Sequence, residues 1–132
     1  MNTQVTEDYC SFEVAKLLKE KGFDWECLGT YSTGDKELSI SSECPYSNDL
    51  NDDMFIAAPT LQKAMKWLRE QNRIISIVHG YITNKYRIII TQSNELDITN
   101  LGNTLYCSND YDYFSYEEAC EAAIKYCLEN LI

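Results

Sequence analysis

Ile74-Ile75-Ser76-Ile77-Val78-His79-Gly80-Tyr81-Ile82, then Thr83-Asn84-Lys85, then Tyr86-Arg87-Ile88-Ile89-Ile90-Thr91 is the stretch on which the fold turns. β-branched side chains lose rotamer freedom in a helix and pack well on a pleated surface, so both apolar runs predict strands. The short polar segment between them predicts a turn, and so an antiparallel hairpin. Their near-continuous apolar character predicts the centre of a sheet rather than an edge.

Helices flank this hairpin. Pro59 suits a helix start, where its missing N–H costs nothing, and a helix is predicted over about Thr60 to Asn72. Leu61, Ala64, Met65 and Leu68 share one face; Lys63, Lys66, Glu70 and Arg73 oppose them, with Trp67 at the boundary beside Lys63. At the far end Ser115 and Glu118 form a capping box for a helix running to about Leu131. Near the start, Ser11 caps a helix over about Phe12 to Lys21, closed by Gly22. Strand-like patterns at Trp25–Ser32 and Glu37–Ser41 enclose the turn Thr33-Gly34-Asp35, and Thr104–Ser108 adds a short strand. Glu43 to Asp53 reads as an acidic loop, and residues 1–10 as a loose segment.

The expected fold is α+β, a single domain over residues 1–132. Its predicted order is helix, two strands, helix, two or three strands, helix. Adjacent strand pairs separated by single helices predict one antiparallel sheet of about four to five strands, with the three helices mainly on one face. A chain of 132 residues buries enough surface to fold without metal or disulfide.

Charge excludes more than it identifies. A net charge of −10 repels nucleic acid and anionic membranes, so neither is expected as a direct ligand. No basic residue falls between Arg87 and Lys125, where seven carboxylates lie, nor between Lys36 and Lys63, where five lie. Basic residues gather at Lys63, Lys66, Arg69, Arg73, Lys85 and Arg87. Met1 to Asp8 carries neither the basic nor the apolar region of a signal peptide, and no run of 18 apolar residues occurs. The expected location is therefore cytoplasmic, with the six scattered cysteines as free, mostly buried thiols.

No catalytic set is legible. His79 is the only histidine and has no nucleophile placed for it by sequence. Cys120 and Cys127, seven residues apart on a helix, lie roughly 10 Å apart along its axis, too far to share an ion or a disulfide. Asp49, Asn51 and Asp53 imitate the start of a calcium loop, but Met54 stands where glycine is required and Thr60 where glutamate is. Asp110-Tyr111-Asp112 resembles an Asp-x-Asp metal motif, which supports a metal-assisted hydrolase or transferase as a minority reading. No cofactor and no metal site is expected.

Three segments resemble a family of short uncharacterised proteins of gut anaerobic bacteria, encoded largely on prophages and other mobile elements. They are Ser11-Phe12-Glu13-Val14-Ala15-Lys16-Leu17-Leu18 with Lys21-Gly22-Phe23, Ala58 to Glu70, and Tyr113-Phe114-Ser115-Tyr116-Glu117-Glu118-Ala119. The resemblance covers about half the chain and implies an origin inside a bacterial host cell, without implying a mechanism. The leading expectation is a non-catalytic accessory protein that binds a protein partner, a basic one suiting its charge. Trp67, Asp110, Tyr111, Asp112 and Tyr113 are the candidate contacts, because aromatics anchor interfaces. A sharper form is an acidic inhibitor of host defence that mimics nucleic acid. A homodimer through the hairpin is a further expectation.

Overall fold

The computed structural model describes residues 8–50, 53–92, 104–108 and 112–132. Among these residues it is α+β, with three α-helices and two three-stranded antiparallel sheets in place of the one larger sheet expected. The chain divides into two compact units, Met1–Lys63 and Ala64–Ile132.

The first unit holds helix α1 (Phe12–Glu20) and strands β1 (Gly29–Ser32), β2 (Leu38–Ile40) and β3 (Phe55–Ala58), in the order β2-β1-β3. Ser11 caps α1 by accepting the Val14 N–H at 3.2 Å. Gly22, at φ +93°, ends it in the left-handed conformation, and the Phe23 N–H reaches back to the Leu18 carbonyl. Val14, Ala15 and Leu18 are buried, and α1 packs on β3. Strand β3 lies between the acidic loop, read as ending at Asp53, and the helix read from about Thr60, in a stretch for which the sequence predicted no strand. It exists because it pairs with β1, from Gly29 opposite Ala58 to Ser32 opposite Phe55. Asn48 locks the loop before β3, donating to the Phe23 carbonyl and accepting the Ala57 N–H. Tyr9 and Cys10, expected to be loose, are also held. Cys10 N–H donates to the Pro59 carbonyl, Leu61 N–H donates to the Asp8 carbonyl, and the Tyr31 hydroxyl donates to the Cys10 carbonyl.

The division between units falls within α2 (Leu61–Glu70), which Thr60 caps by accepting the Lys63 N–H. The rest of the second unit is β4 (Arg73–Gly80), β5 (Lys85–Gln92), β6 (Thr104–Cys107) and α3 (Tyr116–Asn130). Asn72, at φ 62°, turns the chain out of α2 into β4. The predicted hairpin is present, with Arg73 opposite Gln92 and Gly80 opposite Lys85. Its strand order is β4-β5-β6, so among the described residues β5 is central and β4 is an edge. Among those residues the apolar run of β4 does not mark an inner position.

Helix α3 lies over β4 and β5. Ile88 and Ile90 point to it and are fully buried, as are Ala119, Cys120, Ala123, Ile124, Cys127 and Leu128. The Tyr86 ring meets Tyr116 at the start of α3, and Tyr106 stacks on Tyr126 with ring centres 4.0 Å apart. At the other end Arg73 donates from Nε and Nη2 to the Leu131 carbonyl, at 3.2 and 3.0 Å. A cation there satisfies an orphan carbonyl and complements the negative end of the helix dipole.

Candidate docking surface

The hairpin turn is longer than its sequence suggested. Strand β4 stops at Gly80, and residues 81–84 form the turn, closed by the Asn84 N–H donating to the Gly80 carbonyl at 2.8 Å. Asn84 takes the left-handed conformation at φ 55°, which an asparagine tolerates better than most residues. Two apolar side chains expected inside a strand are consequently carried into solvent. Tyr81 is 85% exposed and Ile82 is 84% exposed.

Phe114 joins them at this end of the sheet. Tyr113 forms an isolated bridge with Tyr86, the two exchanging backbone hydrogen bonds at 2.7 and 3.2 Å. That bridge fixes the segment leading into α3 beside the base of the hairpin tip. Phe114 follows at 73% exposure, with the Lys85 ammonium 4.7 Å from its ring centre. Its N–H donates to the Glu118 carboxylate, while Ser115 caps α3 by accepting the Glu118 N–H at 3.0 Å. The His79 ring lies against Tyr86, and its Nε2 is 2.9 Å from the Asn84 side-chain oxygen. The tip is therefore an aromatic and aliphatic end, with the Glu118 carboxylate at the Phe114 backbone and Asp112 and Glu118 near Tyr113.

Of the residues picked from sequence, two lie in this region. Tyr113 is half-buried, and its phenol is pushed above the ordinary value by burial, then by Tyr106, Asp112 and Glu118. Asp112 is exposed beside it. Asp110 and Tyr111 lie outside the described residues. Trp67 is 5% exposed and belongs to the buried arc of α2, so it offers no docking surface. Tyr81, Ile82 and Phe114 were missed. The signal for the first two was Gly80, which ends a strand more readily than it continues one, with Asn84 placed to close a four-residue turn.

The thiols behave as core residues. Burial pushes Cys27 and Cys120 up to about 11 and Cys127 up to about 12, so in the folded chain they are protonated near neutrality. Lys63, a side-chain hydrogen bond from Tyr116, and Arg73 pull these three, respectively, the other way. In the calcium-like loop, Asp49 accepts from the Ser47 hydroxyl and the Asp53 carbonyl accepts from Thr33. Asn51 lies outside the described residues. Among the described residues no group of three or more His, Cys, Asp or Glu gathers as metal ligands would. None of their helices is long and apolar enough to cross a membrane. Against known protein families, curated proteins and solved structures, the chain finds no match.

Proposed function

We propose that this chain is a non-catalytic protein-binding module, an accessory of a phage or mobile element acting inside a bacterial host cell, which docks its partner through the hairpin tip. The observation that carries the reading is the grouping of Tyr81, Ile82 and Phe114 at one end of the second unit, each more than two-thirds exposed. Fully burying an aliphatic or aromatic side chain of this size contributes about 1.5–3 kcal/mol before the costs of association. Leaving three such groups in water is unfavourable for solubility and fits a surface kept open for a ligand. The Glu118 carboxylate beside Phe114 suits a partner that presents apolar groups flanked by basic ones. The resemblance of the helices to proteins of prophages supports the origin.

Affinity capture from a bacterial host lysate, with the native chain and with Ile82→Ser and Phe114→Ser variants, tests this reading. A protein retained by the native chain at high salt and lost with either variant supports it. Capture that is unchanged by both substitutions refutes tip docking. Capture by the native chain that vanishes steeply with salt favours the nucleic-acid mimic instead.

A further inference from the structure

Strand β4 has the composition of an inner strand and, among the described residues, the position of an edge. Five of its eight residues are Arg73, Ile74, Ile75, Ile77 and Val78, all half-buried, and none of the eight is fully buried. The alternation of backbone bonds shows which of its polar groups are left over. Tyr86 exchanges bonds with Tyr113, and the Ile88 carbonyl accepts the Ser108 N–H, so both residues turn their main chain away from β4. Antiparallel pairs alternate, so the bonds joining β5 to β4 run through Lys85, Arg87, Ile89 and Thr91. Their partners Gly80, Val78, Ser76 and Ile74 are thereby satisfied. The N–H and C=O groups of Arg73, Ile75, Ile77 and His79 then point outward from the sheet. No other strand pairs with this edge among the described residues.

Such an edge is a template for another strand, and most proteins blunt it with charge, proline or a bulge. Here no carboxylate occurs anywhere from Gln71 to Asn94, in a chain that carries 21 acidic residues. Two copies, each at −10, repel at most surfaces, but along β4 they meet without facing acids. The strand is also self-complementary about Ser76. In an antiparallel pairing centred there, Ile74 meets Val78 of the other copy, Ile75 meets Ile77, and Ser76 meets Ser76. The outward groups are in phase with that register. Ile75 with Ile77, and Arg73 with His79, become the hydrogen-bonded pairs, giving about eight intermolecular backbone bonds.

We infer that β4 is a homodimerisation edge, which pairs antiparallel with β4 of a second copy about a two-fold axis at Ser76 and joins two three-stranded sheets into one of six. The occupant is a second copy because the apolar pattern is symmetric about one residue and the strand carries no carboxylate, in a chain whose net charge of −10 otherwise keeps its copies apart. This inference does not depend on what docks at the hairpin tip.

Sedimentation over a concentration series, together with two substitutions at Ser76, tests it. Ser76 is exposed and its side chain stands at the two-fold, so a monomer tolerates changes there. The native chain is expected to form dimers. Ser76→Glu is expected to weaken them about tenfold or more, by opposing two carboxylates, with the circular dichroism spectrum unchanged. Ser76→Cys is expected to form a disulfide-linked dimer on mild oxidation, beyond any background from exposed Cys44 in the native chain. Cα atoms of a non-hydrogen-bonded pair are about 4.5 Å apart, within reach of a disulfide. A native chain that stays monomeric at the highest concentration, a dimer indifferent to Ser76→Glu, or failure of Ser76→Cys to cross-link each overturns the inference.

Discussion

Gly29→Ala should destabilise the first unit, although replacing glycine within a strand usually helps. Gly29 is in β1, the central strand of its sheet, between Ile40 of β2 and Ala58 of β3. A Cβ there would come within 2.8 Å of the Ala58 carbonyl oxygen and within 2.9 Å of two ring carbons of Tyr9. Removing a glycine from the unfolded ensemble stabilises by about 0.4–1 kcal/mol where the native geometry accepts the new side chain. Overpacking costs about 1–3 kcal/mol where it does not. The Tyr9 ring is able to swing aside, but the Ala58 oxygen belongs to the backbone of the β1–β3 ladder, so clash outweighs entropy. The expected net loss is about 1–2 kcal/mol, read as a lower urea midpoint at unchanged m-value. A double-mutant cycle with Tyr9→Ala separates the two clashes. The cost should shrink in the Tyr9→Ala background without vanishing, because the carbonyl remains. Equal or greater stability of the single variant would refute the close approach of Tyr9 and β3 over Gly29.

Arg73→Met keeps much of the side-chain bulk and removes the cation that holds the Leu131 carbonyl. It should cost about 1–2 kcal/mol, with amide exchange accelerated in the last turn of α3 ahead of its middle. Stability should also fall in alkaline solution. The buried thiols of Cys27, Cys120 and Cys127 have folded values of about 11, about 11 and about 12, against an ordinary 9.0. The unfolded chain releases those protons first, so stability is intact below pH 9 and declines as pH rises towards the folded values. Urea midpoints measured on both sides of pH 9 check the sign, and thiol titration of the native chain should modify Cys44 well before these three.

Helix ends were the most legible part of the sequence because caps are local chemistry. Ser11, Gly22 and Ser115 act where their neighbours alone predict. Strand β3 was illegible for the opposite reason. Phe55-Ile56-Ala57-Ala58 is short, ends in two poor strand formers and runs into Pro59, so its extended conformation is imposed by pairing with β1. Trp67 misled because the apolar stripe of α2 was drawn too narrow. With Leu61, Ala64, Met65 and Leu68 buried, Trp67 still falls within the buried arc despite its neighbour Lys63. The tip was hidden by a count of two residues. Reading the turn as Thr83–Lys85 rather than residues 81–84 kept Tyr81 and Ile82 inside a strand and out of consideration.

Edge and tip occupy different parts of the same hairpin, and that has a consequence for binding. An antiparallel pairing of β4 strands sends the two hairpins in opposite directions, so each dimer would present one tip at either end. Binding of a soluble partner to one tip should then be independent of dimerisation. Binding to a crowded or surface-fixed partner should gain from avidity, because a second tip is delivered at high local concentration. Ser76→Glu therefore ought to leave affinity for soluble partner unchanged while lowering retention on a densely coated surface about tenfold or more. Ile82→Ser should lower both. If Ser76→Glu weakens soluble binding as much as surface binding, tip and edge are one site, and docking across the dimer rather than at each tip would have to replace the picture drawn from the separate exposure of Tyr81, Ile82 and Phe114.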